Sequence, residues 1–171
     1  QLPYGMTKMS KRLLSGYYKR GTHELVNIKH CHLQPNIIND INEYLKEEAR
    51  KLGITGYNET TRKGILRHVV YRVSSDLSQI LVIFVINTNI VEGKLKQLSD
   101  ILKRKYECIA GICANFNTMN TNVIMGKKTE TIIGKDYYIE GLGNKSYKIS
   151  ATSFFQVNPY CTKQVFDRVK T

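Results

Sequence analysis

The unbroken apolar run Ile80-Leu81-Val82-Ile83-Phe84-Val85-Ile86 limits this chain more than any other feature. It has the length of a β-strand and falls far short of the roughly 20 apolar residues that a membrane-spanning helix needs. A strand with no polar alternation is apolar on both faces, so it belongs inside a sheet with something packed on either side. The stretch Ile65 to Val73 precedes it across Ser74-Ser75-Asp76-Leu77-Ser78 and reads as its neighbouring strand.

Helical periodicity flanks this pair. Pro35 opens a helix in which Ile37, Ile38, Ile41, Leu45, Ala49 and Leu52 form one stripe, and Gly53 ends it. A second helix runs from about Val91 to Tyr106, with Leu95, Leu98, Ile101 and Leu102 on one side. Residues 2–8, 12–19 and 23–29 read as strands broken around Ser10 and at Arg20-Gly21-Thr22, and Tyr57 to Lys63 reads as loop. Beyond the second helix, Ile109 to Asn115, Asn122 to Gly126, Thr129 to Ile133, Tyr137 to Glu140 and Tyr147 to Ser150 are short and β-prone, with Gly126, Gly134, Gly141 and Gly143 as turn positions. Pro159, followed by Val165, Phe166 and Val169, starts a third helix at the C-terminus. The expected fold is α+β, a mixed or antiparallel sheet with two long helices packed mainly on one face.

Charge narrows the function. Against 14 acidic residues stand 26 basic ones, a formal net charge of +12 that favours polyanionic partners. For Lys8, Lys11, Arg12, Lys19 and Arg20, interleaved with Tyr17 and Tyr18, RNA contact and a merely solvated face stand level. Lys103, Arg104 and Lys105 close a helix, where they complement its dipole. Arg67 and Arg72 fall on opposite faces of their strand by parity, and a structural ion pair is the leading reading for the charges there. No glycine-rich phosphate loop is present. Cys31, Cys108, Cys113 and Cys161 form no CxxC pair, so a disulfide framework is not expected, and Cys108 and Cys113 read as small core residues. Cys31 between His30 and His32 is a poor zinc site, because adjacent residues cannot all face one ion. The default compartment is the cytoplasm, with no membrane and no obligate protein partner expected.

Near the end lies Ser153-Phe154-Phe155-Gln156-Val157-Asn158-Pro159, between the strand-like Tyr147 to Ser150 and the last helix. An amide at such a turn offers donors and an acceptor to a ligand. In an extended segment Phe154 and Gln156 share one face, leaving Phe155 and Val157 for the core. The plainer reading of the residues alone keeps Phe154, Phe155 and Val157 as core, with Gln156 satisfying the turn.

This segment, with Gln164 and the amphipathic helix after it, resembles the signature of RNA uracil-5-methyltransferases that use S-adenosylmethionine. Three further stretches are similar to the same family, in its order: Lys29 to Leu33, Gly64 to Arg72, and Thr121 to Gly126. The resemblance implies that residues 1–152 form the family's central, RNA-facing domain. Residues 153–171 would lead into a Rossmann-like methyltransferase domain beyond Thr171, and both ends read as cuts in a longer chain. It implies that Gln156 hydrogen-bonds the methyl donor and that Phe154 sits by the flipped target uracil. It implies that Cys31 is the fourth ligand of a four-iron four-sulfur cluster, the other three lying upstream of Gln1. The stretch around Cys31 fits the ribosomal RNA branch better than the transfer RNA branch. The family's catalytic cysteine and base lie downstream, and no cysteine here occupies that motif. The parent would therefore methylate carbon five of a uridine, in large-subunit ribosomal RNA, while this chain alone should bind no cofactor and not turn over. The alternative is a stand-alone basic RNA-binding module without catalysis.

Overall fold

The computed structural model describes every residue except 8–11, 157 and 170–171. Lys8 and Lys11 thus lie outside the described residues. Three strands, β1 (Leu2–Met6), β2 (Leu13–Tyr18) and β3 (Leu25–Asn27), precede helix α1 (Asn36–Lys51). Then come β4 (Leu66–Val73), β5 (Ile80–Ile86), α2 (Gly93–Lys105), β6 (Ile109–Phe116), β7 (Lys128–Gly134), the β8 (Tyr137–Leu142) and β9 (Lys145–Ser150) pair, and α3 (Pro159–Val169). The fold is α+β. A seven-stranded sheet runs β3-β2-β1-β4-β5-β6-β7, and β8 and β9 form a separate hairpin. The sheet is mixed because β5 and β6 are parallel, joined through α2, whereas the other pairings are antiparallel.

The all-apolar β5 sits where its composition requires, with every residue buried. Its even-numbered side chains, Ile80, Val82, Phe84 and Ile86, meet α1 and α2 through Ile41, Leu45, Leu95, Leu98 and Leu102. Its odd-numbered ones, Leu81, Ile83 and Val85, join Tyr138, Ile149 and Ala151 of the hairpin and the segment after it. Both helices therefore cover one face and the hairpin covers the other.

A polar knot ties α1 to the sheet. Asn42, buried on α1, accepts from the hydroxyls of Tyr4 and Tyr71, the latter at 3.2 Å, and its amide donates to Ser15 Oγ at 2.8 Å. Burial, the largest influence, raises the pKa of both tyrosines, so they remain protonated donors. Tyr71→Phe is expected to lower stability by about 1 kcal/mol, the net worth of one buried hydrogen bond. A urea midpoint shifted with an unchanged slope would register it.

Two local expectations need correction. Asn122 to Gly126 is not a strand but part of the loop between β6 and β7. Two buried amides, Asn115 near the end of β6 and Asn117 just after it, take up the backbone groups that a neighbouring strand would have used. Asn115 donates to the Gly126 and Lys128 carbonyls and accepts from the Gly126 N–H, while Asn117 donates to the Val123 and Ile124 carbonyls. Gly141 is the second correction: it lies within β8, and the hairpin turns at Gly143, whose φ of +62° suits glycine.

Candidate functional site

The pairing of β4 with β5 slips between Leu66 and His68, leaving Arg67 as the extra residue. Parity counted across the strand therefore fails. Leu66 and Val69 both reach the helix-side core, while His68 and Arg72 pair with Val85 and Leu81 of the hairpin-side cluster. Arg67 is only 3% exposed. Its guanidinium donates to the carbonyls of Asn117 at 3.0 Å and Met119 at 2.8 Å and stacks over Tyr57 at 4.5 Å. The ion pair expected in this strand exists as a long contact of 3.9 Å to Glu59. Carbonyl hydrogen bonds, more than the ion pair, hold this buried charge.

Arg67 thereby joins two loops, the segment before β4 and the one after β6. Between these loops and the β2–β3 turn opens a cleft of about 360 Å³ lined by His23, Glu59, Thr60, Asn120, Thr121 and Asn122. Asn58 Oδ1 accepts from the Thr60 and Thr61 N–H groups, Asn117 Oδ1 from Met119 N–H, and Thr121 Oγ1 from Val123 N–H. The loop before β4 can fold this tightly because Gly64, at φ +110°, approaches Gly56, where a Cβ would lie 2.1 Å from the Gly56 oxygen. On the turn side Tyr18 and His23 form an edge-to-face pair with centroids 6.2 Å apart.

The signature segment packs on the hairpin side of the sheet. Ile124 and Met125, continuing the loop that walls the cleft, pack against the hairpin-side cluster, and so does Phe155. Phe155 also meets Tyr147 at 6.2 Å between ring centroids. Phe154 is 85% exposed and Gln156 is exposed as well, so the alternation of faces holds at these positions and Phe154 is not a core residue within this chain. Asn158 then starts α3, its Oδ1 accepting from the Cys161 N–H. Val165, Phe166 and Val169 of α3 are also exposed.

Of the basic residues read from the sequence, the described ones, Arg12, Lys19 and Arg20, do not form one patch. Arg12 closes the β1–β2 hairpin with Thr7, whereas Lys19 and Arg20 form the β2–β3 turn. The strand between them spans roughly 20 Å. The exposed Lys19 and Arg20 share a turn with His23, and exposed Arg62 and Lys63 follow Glu59 and Thr60 closely. Four exposed cations thus stand on the two turns that contribute His23, Glu59 and Thr60 to the cleft.

Cys31 lies on the helix side of this arrangement, half-buried and free, as the other three cysteines are free. The side chain of Asn39 on α1 clamps its backbone, accepting from the Cys31 N–H at 2.9 Å and donating to the Cys31 carbonyl at 3.2 Å. Burial raises the pKa of the Tyr17 hydroxyl, and the neighbouring Cys31 thiol adds to that rise. The His30 and His32 rings meet edge to face at 4.7 Å. Among the described residues no group of three or more His, Cys, Asp or Glu side chains could hold a metal ion. Cys31 can supply one thiolate of four, so these residues alone do not make a cluster site. Buried Cys113 is held unreactive, its thiol pushed up to about 11 by burial. No described helix is long and apolar enough to cross a membrane.

Sequence reasoning placed the exposed Phe154 and Gln156 but missed the cleft. A partial signal existed in Asn115, near the end of an otherwise apolar strand, and Asn117 just after it.

Comparison with known proteins places these features in context. No family model matches the chain. A Bacillus cereus protein described as an uncharacterized RNA methyltransferase is 35% identical over 168 residues, 98% of this chain and 36% of that protein. Similarly described proteins from Oceanobacillus iheyensis and Clostridium acetobutylicum are 32% and 34% identical over 169 and 166 residues. The chain thus spans about a third of the length of the curated relatives it matches. Among solved structures, the Pyrococcus abyssi tRNA (uracil-54, C5)-methyltransferase in complex with S-adenosyl-L-homocysteine superposes with a TM-score of 0.76 at 22% identity, covering 98% of this chain and 38% of that one. Nearly all of this chain is therefore similar to about a third of proteins described as RNA methyltransferases, and it shares the fold of a part of the Pyrococcus abyssi protein.

Proposed function

We propose that the chain is the RNA-facing part of an S-adenosylmethionine-dependent methyltransferase acting on carbon five of a uridine in ribosomal RNA. In this reading residues 1–152 are a central domain, and residues 153–171 lead into a methyltransferase domain that carries the reacting thiolate and base. The observation that carries it is the exposure of Phe154 and Gln156 beside a tucked Phe155, within a chain similar over its length to RNA methyltransferases.

S-adenosylmethionine, when bound, supplies the methyl group. This chain's share is binding and orientation. The Gln156 amide holds the donor by hydrogen bonds from one edge of its pocket, and the Phe154 ring replaces stacking lost by a base drawn out of its strand. Lys19, Arg20 and Arg12 contact RNA phosphates. Cys31, its backbone set by Asn39, serves as the single cluster ligand contributed by this part, and the parent works in the cytoplasm.

The test uses the full-length parent with radiolabelled methyl donor, on ribosomal and transfer RNA transcripts side by side. Phe154→Ala should lower methyl transfer about tenfold, as expected for one lost base-stacking contact. Gln156→Ala should raise the KM for the donor more than that for RNA. Rates unchanged in both variants would assign the two side chains no role, and transfer only to tRNA would overturn the ribosomal assignment.

A further inference from the structure

We propose that the cleft between the β2–β3 turn, the loop before β4 and the loop after β6 binds one unpaired nucleotide of the RNA, and that its chemistry selects guanine. The inference rests on the RNA reading above and extends it to a second contact, separate from Phe154 and Gln156.

Size and lining come first. A volume of about 360 Å³ falls within the roughly 300–1,000 Å³ typical of small-ligand pockets. The walls are polar: the Glu59 carboxylate, the Thr60 and Thr121 hydroxyls, the Asn120 and Asn122 amides and the His23 imidazole. Unpaired bases are read along their edges by side chains of these types. Lys19 and Arg20, on the turn that carries His23, and Arg62 and Lys63, just after Glu59 and Thr60, are exposed and available to phosphates on either side of an inserted base.

The walls are also set in advance. Arg67 and Asn117, both almost fully buried, direct their hydrogen bonds to the backbone of the loop after β6, and Arg67 reaches Glu59 and Tyr57 of the loop before β4. A buried guanidinium is costly to keep, and an apolar residue would serve packing alone. Its effect here is to fix two walls against each other and limit the ordering cost when a ligand enters.

Guanine follows from the carboxylate. Glu59 accepts only, and its 3.9 Å contact with Arg67 leaves it free to accept more. Guanine alone among the four bases presents two donors side by side, N1–H and N2–H₂, matching two carboxylate oxygens. Its O6 and N7 then face donors, which the Asn120 and Asn122 amides supply. Ile124 and Met125, which follow the cleft residue Asn122, pack on the cluster that also holds Phe155, so the loop that walls the cleft and the signature segment share one support.

The test titrates the 171-residue chain, amide-labelled for NMR, with single-stranded RNA pentamers that differ only in a central G, A, C or U. The G pentamer should shift the amides of His23, Glu59, Thr60 and Asn120 to Asn122, and bind about tenfold more tightly than the others. Glu59→Gln should abolish that preference while leaving the salt dependence unchanged, and Asn122→Ala, on an exposed loop, should weaken it independently. Shifts confined to Lys19, Arg20, Arg62 and Lys63, equal for all four pentamers, would overturn the nucleotide site and leave the RNA reading standing. No binding by any pentamer would overturn both.

Discussion

Lowering the pH from 7 to 4 is expected to remove about 3 kcal/mol of folding stability through His68 alone. This imidazole lies in β4 between strands β1 and β5, 8% exposed, and its Nδ1 has no partner among the described residues. Burial, first, and the adjacent Arg67 charge, second, hold its pKa down to about 4. The unfolded chain takes up the same proton near pH 6.5. Between these values the unfolded state carries more protons than the folded one, so stability falls as pH drops. The contribution is fully present above the unfolded pKa and is lost progressively as pH falls through the window to about 4. Urea unfolding at several pH values should show this slope, and His68→Phe should flatten it. Equal slopes in the two proteins would mean that His68 is already charged in the fold.

Arg67→Ala is the second large effect, with an expected loss of about 3–5 kcal/mol. Alanine leaves the Asn117 and Met119 carbonyls without their donor and removes the cation from the Tyr57 ring. Glu59 loses its partner as well. Arg67→Lys keeps the charge but not the planar fork that serves both carbonyls, so it should recover only part of the loss. Hydrogen exchange offers a readout specific to the site: the amides from Met119 to Ile124 should exchange faster in Arg67→Ala, while those of β5 follow only the global change. A loss below about 1 kcal/mol would mean that water replaces the guanidinium at both carbonyls.

The two effects share a cause that strand periodicity does not reveal. A single extra residue at Arg67 turns His68 to the hairpin side and lets Arg67 reach the loop after β6. Sequence separations of 50 and 52 residues carry those bonds, and no local pattern encodes them. The Asn122 segment shows the same limit. Its β-propensity is real, but Asn117 takes its carbonyls before any strand can.

By itself the sequence determined the sheet's central strand and the two long helices with their buried stripes, while the exposure of Phe154 and Gln156 was decided by the fold. The strand and the helices follow from periodicity over a few residues, where burial of one face decides the outcome. Tertiary structure alone decided that Arg12 stands apart from Lys19 and Arg20, that β8 and β9 cover the second face, and that three distant loops enclose a polar cleft. Those outcomes depend on which strands pair and where one residue bulges, and pairing is settled by contacts made across the whole chain.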